Sequence, residues 1–465
     1  MKVSTNINDT IQYMRKELKC DRNFDIVYRD IKIQGRQSCF FLIDGFAKDE
    51  VIEKMMEFFF KIDNPDWLKD AKTFSQCCVP YCEVMVLDDY ETVITQVLSG
   101  GLALFVEGFQ QCIIIDSRQY PQRVTSEPEK DKTFRGSRDG FVETIVFNTA
   151  LVRRRIRSRS LCIENMSVGE RSKTDVAICY LEDKVDQTLL TSIKERIGNI
   201  KVDALTMNQE SLAELLIKNK WYNPFPKFKY TERPDAAAAQ VLEGDIIIFV
   251  DNSPSAMVLP VDIFDVMEEA NDYYLPPFTA TYLRLTRLLV SFLIVFLTPF
   301  WLLLMQNPDW IPSGSSFLLI SETVHVPILL QLLIMEIAID GLKLASLNTP
   351  STLSTSFSLL GAIILGDFAV KTGWFLPQSM LYMAIVAIGN YSQPSLEMGY
   401  ALKFLRIMLL LLTAAFHIYG FVLGSILVVV FMACNKTLSG KSYLYPLIPF
   451  NYQELKRKLI REKLI

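Results

Sequence analysis

Residues 285–305, LTRLLVSFLIVFLTPFWLLLM, constrain this chain more than any other stretch. Its 21 residues would rise about 31 Å as a helix, which matches the hydrocarbon core of a bilayer. Further apolar segments follow at about 324–339, 355–370, 378–390 and 407–434. The first 283 residues, by contrast, read as ordinary globular sequence. The expected fold class is therefore an α/β region of two related subdomains followed by an all-α polytopic membrane domain.

Charge divides along the same line. From Arg284 onward there are 13 Lys+Arg and 8 Asp+Glu, or +5; taken from totals of 48 and 52, this leaves 35 and 44, or −9, for the front part. An acidic front region argues against nucleic-acid binding. Arg284 and Arg287 stand at the start of the first apolar segment, and Lys436, Lys441 and ELKRKLIREK follow the last. Positive charge at both ends predicts cytoplasmic ends and an even number of crossings. Four full spans plus one re-entrant or interfacial segment, within about 321–339, satisfy that count. The polar start MKVSTNINDTIQYMRKEL has no apolar signal core, so the front region is expected in the cytoplasm. The basic tail is expected along the cytoplasmic membrane surface.

The front region carries an internal match. QVLSGGLALFV at 96–106 and QVLEGDIIIFV at 240–250 are identical at six of eleven positions, including Gln96 with Gln240 and Gly100 with Gly244. Each continues into a second apolar strand, CIII at 112–115 and AMVL at 256–259. Upstream, 38–43 and 175–181 read as strands, followed by helices over 49–60 and about 186–197. These patterns predict a duplicated α/β unit. The expected division is 1–120 for the first subdomain, 121–157 for a linker loop and helix, and 158–275 for the second subdomain. The membrane domain is expected at 284–435 and a basic tail at 436–465. In the linker, a helix is expected from an N-cap at Asp139 to about Ile156. Arg153, Arg154, Arg155, Arg157 and Arg159 crowd its end; they suit either solvation beside the helix dipole or contact with anionic lipid or an acidic partner surface.

No catalytic constellation is evident: there is no Walker loop or nucleophile elbow, and no His precedes residue 325. The chain is expected to be no enzyme and to need no cofactor. Cys77, Cys78 and Cys82 lack a fourth zinc ligand and read more simply as small thiols.

The site candidates lie in the apolar half. EIAIDGLKLASLNTPSTLSTSFSLLGAIILGDFAV, residues 336–370, sets polar groups where lipid offers no hydrogen-bond partner. Glu322, His325, Glu336, Asp340, Asp367 and His417 are the ionisable candidates in this region, expected to face protein or a wet cavity. Ser351, Thr355, Ser358 and Ala362 fall on one helical face. They suit either close helix packing or a pore lining, with Leu365 at a constriction. Gly420 and Gly424 have the spacing of a close-packing pair.

Three stretches carry a family resemblance: SRQYPQRVTSEPEKDKTFRGSRDGFVETIVFNTALVRRRI, YTERPDAAAAQVLEGDIIIFVDNSP and MEIAIDGLKLASLNTPSTLSTSFSLLGAIILGDFAVKTGW. With the order of the parts, they make the chain resemble the A-subunit family of spore germinant receptors from end to end. Within it, the chain looks like the stage V sporulation protein AF branch, because Leu347, Asn348, Thr349 and Pro350 stand where receptor A subunits are Pro- and Arg-rich. That departure argues against a direct response to nutrients. The resemblance implies a multi-pass subunit of the spore inner membrane that forms a homo-oligomeric ring beside a transporter-like polytopic membrane partner. It implies an ion channel releasing monovalent cations during germination, and it shifts the Ser351 face toward pore lining. The alternatives are a non-conducting scaffold and a secondary transporter.

Overall fold

A computed structural model describes residues 1–118, 136–217, 222–312, 314, 320, 324–348 and 369–461. Two compact units emerge: Met1–Asn219 with Phe228–Pro260, and Lys220–Lys227 with Val261–Ile465.

The first unit holds two five-stranded antiparallel sheets. The strands of the first are β1 Ile26–Ile33, β2 Arg36–Ile43, β3 Val84–Leu87, β4 Leu102–Val106 and β5 Cys112–Ile115, in the order β1-β2-β4-β5-β3. The second contains β6 Leu161–Val168, β7 Thr174–Leu181, β8 Lys229–Thr231, β9 Ile246–Val250 and β10 Ala256–Leu259, in the order β6-β7-β9-β10-β8. The two orders are the same, as a duplication predicts.

Helices α1 Ile7–Glu17, α2 Asp49–Phe60, α3 Ala71–Cys77 and α4 Tyr90–Leu98 belong to the first sheet. Strand periodicity decides which helix meets which face. Cys39, Phe41, Ala103, Phe105 and Ile114 face one core with α1 and α4, while Phe40, Leu102, Leu104, Ile113 and Ile115 face another with α2 and α3. Each large apolar side chain so buried contributes about 1.5–3 kcal/mol. In the second half, α5 Ile145–Arg155 and α8 Pro234–Glu243 cover the sheet through Leu151, Val152, Ala237 and Val241, packed with Ala177, Cys179 and Phe249. Helices α6 Gln187–Gly198 and α7 Gln209–Leu216 complete this half.

The repeated letters have a common structural use. Gly100 follows α4 with φ +97° and Gly244 follows α8 with φ +111°. Gly101 N–H donates to the Gln96 carbonyl at 2.9 Å, and Asp245 N–H donates to the Gln240 carbonyl at 3.0 Å. Both helices end in the same left-handed cap, where glycine escapes the Cβ penalty.

The linker helix departs from expectation. It begins at Ile145, after Thr144, rather than at Asp139. Asp139 instead pairs with Arg155 near the far end of the helix, Nη2 to Oδ2 2.6 Å. Arg153 and Arg159 of the arginine cluster are likewise drawn inward, while Arg157 is exposed. Arg153 is fully buried against Asp25, Nε to Oδ2 2.8 Å, and Arg159 pairs with Glu17 at 3.1 Å and with Glu91. Carboxylates from distant parts of the chain converge on the helix and the residues just after it, a placement invisible to local sequence.

The second unit is helical among its described residues: α9 Ile263–Met267, α10 Asn271–Tyr274, α11 Pro277–Gln306, α12 Ile328–Asn348, α13 Pro377–Tyr391, α14 Leu396–Cys434 and α15 Tyr452–Leu459. Only α11 and α14 are, among the described residues, long and apolar enough to cross a membrane. Helix α14 is not the straight rod expected of its apolar half. His417 takes φ +51° and ψ −129° inside it. A Cβ at Gly420 would lie 1.8 Å from the Leu412 carbonyl oxygen, and one at Gly424 would lie 2.5 Å from Leu409 Cδ1. Residues eight apart in a continuous helix are about 12 Å apart. Helix α14 is therefore a hairpin with arms 396–416 and 418–434, and the two glycines let the arms touch.

Candidate functional site

Inside the helical unit, α12 and α14 bring four charges together. Glu336 and Asp340 are one turn apart on α12, while Lys403 and Arg406 are three apart on the first arm of α14, so each pair shares a face. Arg406 Nε donates to Glu336 Oε1 at 2.7 Å, and its Nη1 donates to the Ile294 carbonyl of α11 at 3.0 Å. Lys403 Nζ reaches Glu336 Oε2 at 3.3 Å, donates to the Glu336 carbonyl at 3.1 Å, and also pairs with Asp340.

Relative exposure is 3% for Glu336, 5% for Lys403 and 1% for Arg406. A lone charge buried to that degree would be strongly unfavourable, so the four must be treated as one neutral group. The cluster ties three helices together, and its specificity comes from the fork of Arg406. One turn beyond Asp340, the Lys343 ammonium sits 4.7 Å from the Tyr391 ring centre and 5.3 Å from that of Tyr400, extending the polar face of α12.

Sequence reasoning singled out Glu336 and Asp340 and missed Lys403 and Arg406. The missing signal was present: two cations at i and i+3 at the edge of an apolar run need partners, and only the tertiary fold says which. The other candidates go elsewhere. His325 lies beside Gly373, its Cδ2 3.1 Å from where a Cβ on that glycine would stand. His417 is exposed at the turn of the α14 hairpin, not inside a continuous helix. Ser351, Thr355, Ser358, Ala362, Leu365, Glu322 and Asp367 lie outside the described residues.

A second charged cluster surrounds the start of α11. Arg284 pairs with Glu268, and Arg287 pairs with Asp272 and, at 3.2 Å, with Glu269. Lys458 of α15 pairs with Asp265 and, at 3.4 Å, with Asp262. Burial, then the neighbouring Asp265 charge, pushes the Asp262 carboxyl up to about 7 against the pull of Lys458. Burial works against the Lys458 charge, but Asp265 and Asp262 more than offset it, so its pKa stands above the usual lysine value. Arg461 donates to the Tyr273 and Leu275 carbonyls, and its N–H to Thr281 Oγ1 at 3.2 Å. Within the tail, Lys458 is thus engaged with α9, and Arg461 with the end of α10 and Thr281 of α11. Nearby, Lys227 donates to Asn435 Oδ1 and, at 2.6 Å, to the Lys436 carbonyl; burial alone brings its pKa down to about 8.

Among the described residues no group of three His, Cys, Asp or Glu side chains could hold a metal ion. Cys77 and Cys82 are exposed and Cys78 is buried in the core.

Comparison with known proteins adds the following. A family model described as Bacillus/Clostridium GerA spore germination protein matches residues 12–465. Stage V sporulation protein AF of Bacillus subtilis (strain 168) is 38% identical over 454 residues, covering 97% of this chain and 91% of that protein. Spore germination protein KA of the same organism is 27% identical, covering 99% of this chain and 85% of that protein. The crystal structure of the N-terminal domain of the A subunit of the Bacillus megaterium spore germinant receptor GerK3 matches at 24% identity with a TM-score of 0.42. That match covers 56% of this chain and 96% of the solved one.

Proposed function

We infer the function from one premise: this chain belongs to the Bacillus/Clostridium GerA spore germination protein family. We propose that it is a multi-pass subunit of the spore inner membrane with a cytoplasmic α/β unit. Its copies assemble, beside a transporter-like polytopic partner, into a pore that releases monovalent cations during germination.

One observation carries this reading. The two carboxylates of α12 are answered within the chain by Lys403 and Arg406, so a buried neutral cluster anchors α12 in apolar surroundings. The hydroxyl-bearing stretch that follows α12 in sequence, with Ser351, Thr355 and Ser358, is the one this reading assigns to conduction. A row of hydroxyls followed by an apolar constriction is how a hydrated ion path is lined and gated. Of the three carboxylates that a secondary transporter could use as proton carriers, Glu336, Asp340 and Asp367, the first two are engaged in holding helices together.

The deciding experiment is potassium and sodium efflux from liposomes containing the purified full chain, with and without its membrane partner. Cation efflux through the assembled protein is expected. No efflux in either case, together with loss of germination on deletion, would favour the non-conducting scaffold.

A further inference from the structure

The hairpin of α14 carries a consequence for how the chain meets lipid. Residues 407–435 contain no Asp, Glu, Lys or Arg, and within them the chain reverses at His417. The arms are packed along their length, with Leu405 and Leu409 of the first sharing a core with Val428 of the second. At about 1.5 Å per residue, the arms rise about 31 and about 25 Å, each close to the thickness of a hydrocarbon core.

The turn itself cannot rest in hydrocarbon. Ending one helix and starting another leaves backbone N–H and C=O groups without helical partners, each costing several kcal/mol in lipid. The side chains there point outward: Tyr419 is 82% and Phe416 58% exposed, and His417 is exposed as well. An aromatic pair with an imidazole suits the headgroup layer, where rings meet the acyl chains and polar atoms meet water. The end of α11 reaches the same level. Gln306 Nε2 lies 3.5 Å from the Ala414 carbonyl, and Trp310 beyond it is 49% exposed. At the opposite end of α11, Thr281 and Arg284 meet Arg461 and the Arg457 and Lys458 carbonyls. The α14 turn and the basic tail are thus at opposite ends of α11.

We propose that α14 crosses the bilayer twice, and that Phe416, His417 and Tyr419 at its turn anchor the protein among lipid headgroups of the leaflet opposite the α15 tail. This rests on the membrane reading above, and makes the segment from Leu396 to Cys434 two crossings instead of one. The geometry assigns the tip a lipid surface as its partner; Gly420 and Gly424 are the device that keeps the two crossings together.

The test is sided labelling of the full chain in native membranes with a membrane-impermeant maleimide, read peptide by peptide so that native cysteines do not interfere. Tyr419→Cys should be labelled from one side, and Gln453→Cys, exposed on α15, from the other. Labelling of both from the same side would overturn the proposal in favour of a re-entrant hairpin. Labelling of Tyr419→Cys only after detergent is added would overturn the headgroup placement. Alkaline carbonate extraction of the same membranes separates the two readings. A chain released by carbonate is not embedded at all, which defeats the membrane reading and this proposal together; a retained chain with same-side labelling defeats this proposal alone.

Discussion

Arg153 and Asp25 form a two-point ion pair sealed from solvent, with Nε to Oδ2 at 2.8 Å and Nη2 to Oδ1 at 3.0 Å. The third arm of the guanidinium donates to the Leu161 carbonyl at 3.1 Å. One residue of α5 thereby binds the entry to β1 and the start of β6, the first strands of the two repeated sheets. Asn23 reinforces the junction, donating to the Leu18 carbonyl at 2.9 Å and accepting from Ile163 N–H at 2.7 Å.

Removing one member leaves the other charge buried without a partner. Asp25→Ala or Arg153→Ala should each cost about 3–5 kcal/mol, with far less than additive loss in the double variant. Urea unfolding of the full chain in detergent, followed by fluorescence, measures all three. Additive losses would show that the two side chains do not act as a unit.

The cluster of Glu336, Asp340, Lys403 and Arg406 should respond similarly. Arg406→Ala should cost about 3–5 kcal/mol, whereas replacing Glu336 and Arg406 together with Met should recover much of the loss by removing both charges. Midpoints of thermal unfolding in detergent check this. A double variant as unstable as the single one would place the energy in hydrogen bonds to the backbone rather than in charge pairing.

Asp262 predicts a pH dependence of definite sign. Its folded pKa of about 7 lies above its ordinary value of 3.8, so the folded state binds the proton more tightly than the unfolded one. Its contribution to stability is greatest below pH 4, declines as pH rises toward 7, and is flat above. Asp262→Asn keeps the N-cap of α9 and should flatten that part of the stability profile. An unchanged slope of unfolding midpoint between pH 5 and 7 would assign the slope to other groups.

The α14 turn predicts two opposite effects. His417 adopts a backbone conformation, φ +51° and ψ −129°, that suits glycine, so His417→Gly should stabilise the protein, relief of about 1–3 kcal/mol of backbone strain outweighing an entropic cost of about 0.5–1 kcal/mol. Gly420→Ala should destabilise it by about 1–3 kcal/mol, because the new Cβ would meet the Leu412 carbonyl. Thermal unfolding of the two variants side by side tests the hairpin directly, and equal small effects would contradict it.

Conduction predicts a further contrast. Leu365→Ser should make spores or liposomes leak cations without a trigger, since a polar side chain removes a dewetting barrier. Asp367→Asn should lower cation flux while leaving crosslinked oligomers intact. Unchanged flux in both variants would remove these residues from the ion path.

Local pattern alone was enough for the centre of each sheet. Strands β2, β4, β5, β7, β9 and β10 were all legible, because a strand paired on both sides and packed between layers must be apolar almost throughout. The edge strands β1, β3, β6 and β8 were not. An edge strand has one neighbour and more solvent, so IVYRDIKI and LCIENMSV carry charges and amides that blur the period, while VMVL and KYT are too short to stand out. The duplication was legible for a related reason: a left-handed helix cap restricts its residue to glycine, and Gly100 and Gly244 preserved that restriction at one offset. Apolar length likewise marked the start of the helical unit. What only the tertiary structure decided was pairing. Asp25 with Arg153, Glu336 with Arg406 and Lys458 with Asp265 join residues far apart in the chain, and an ion pair depends on a distance that no local periodicity records. The reversal at His417 belongs to the same class, because an apolar run has the same composition whether it continues straight or folds back. Length in sequence sets how far such a segment can reach; contact between its two arms decides that it returns.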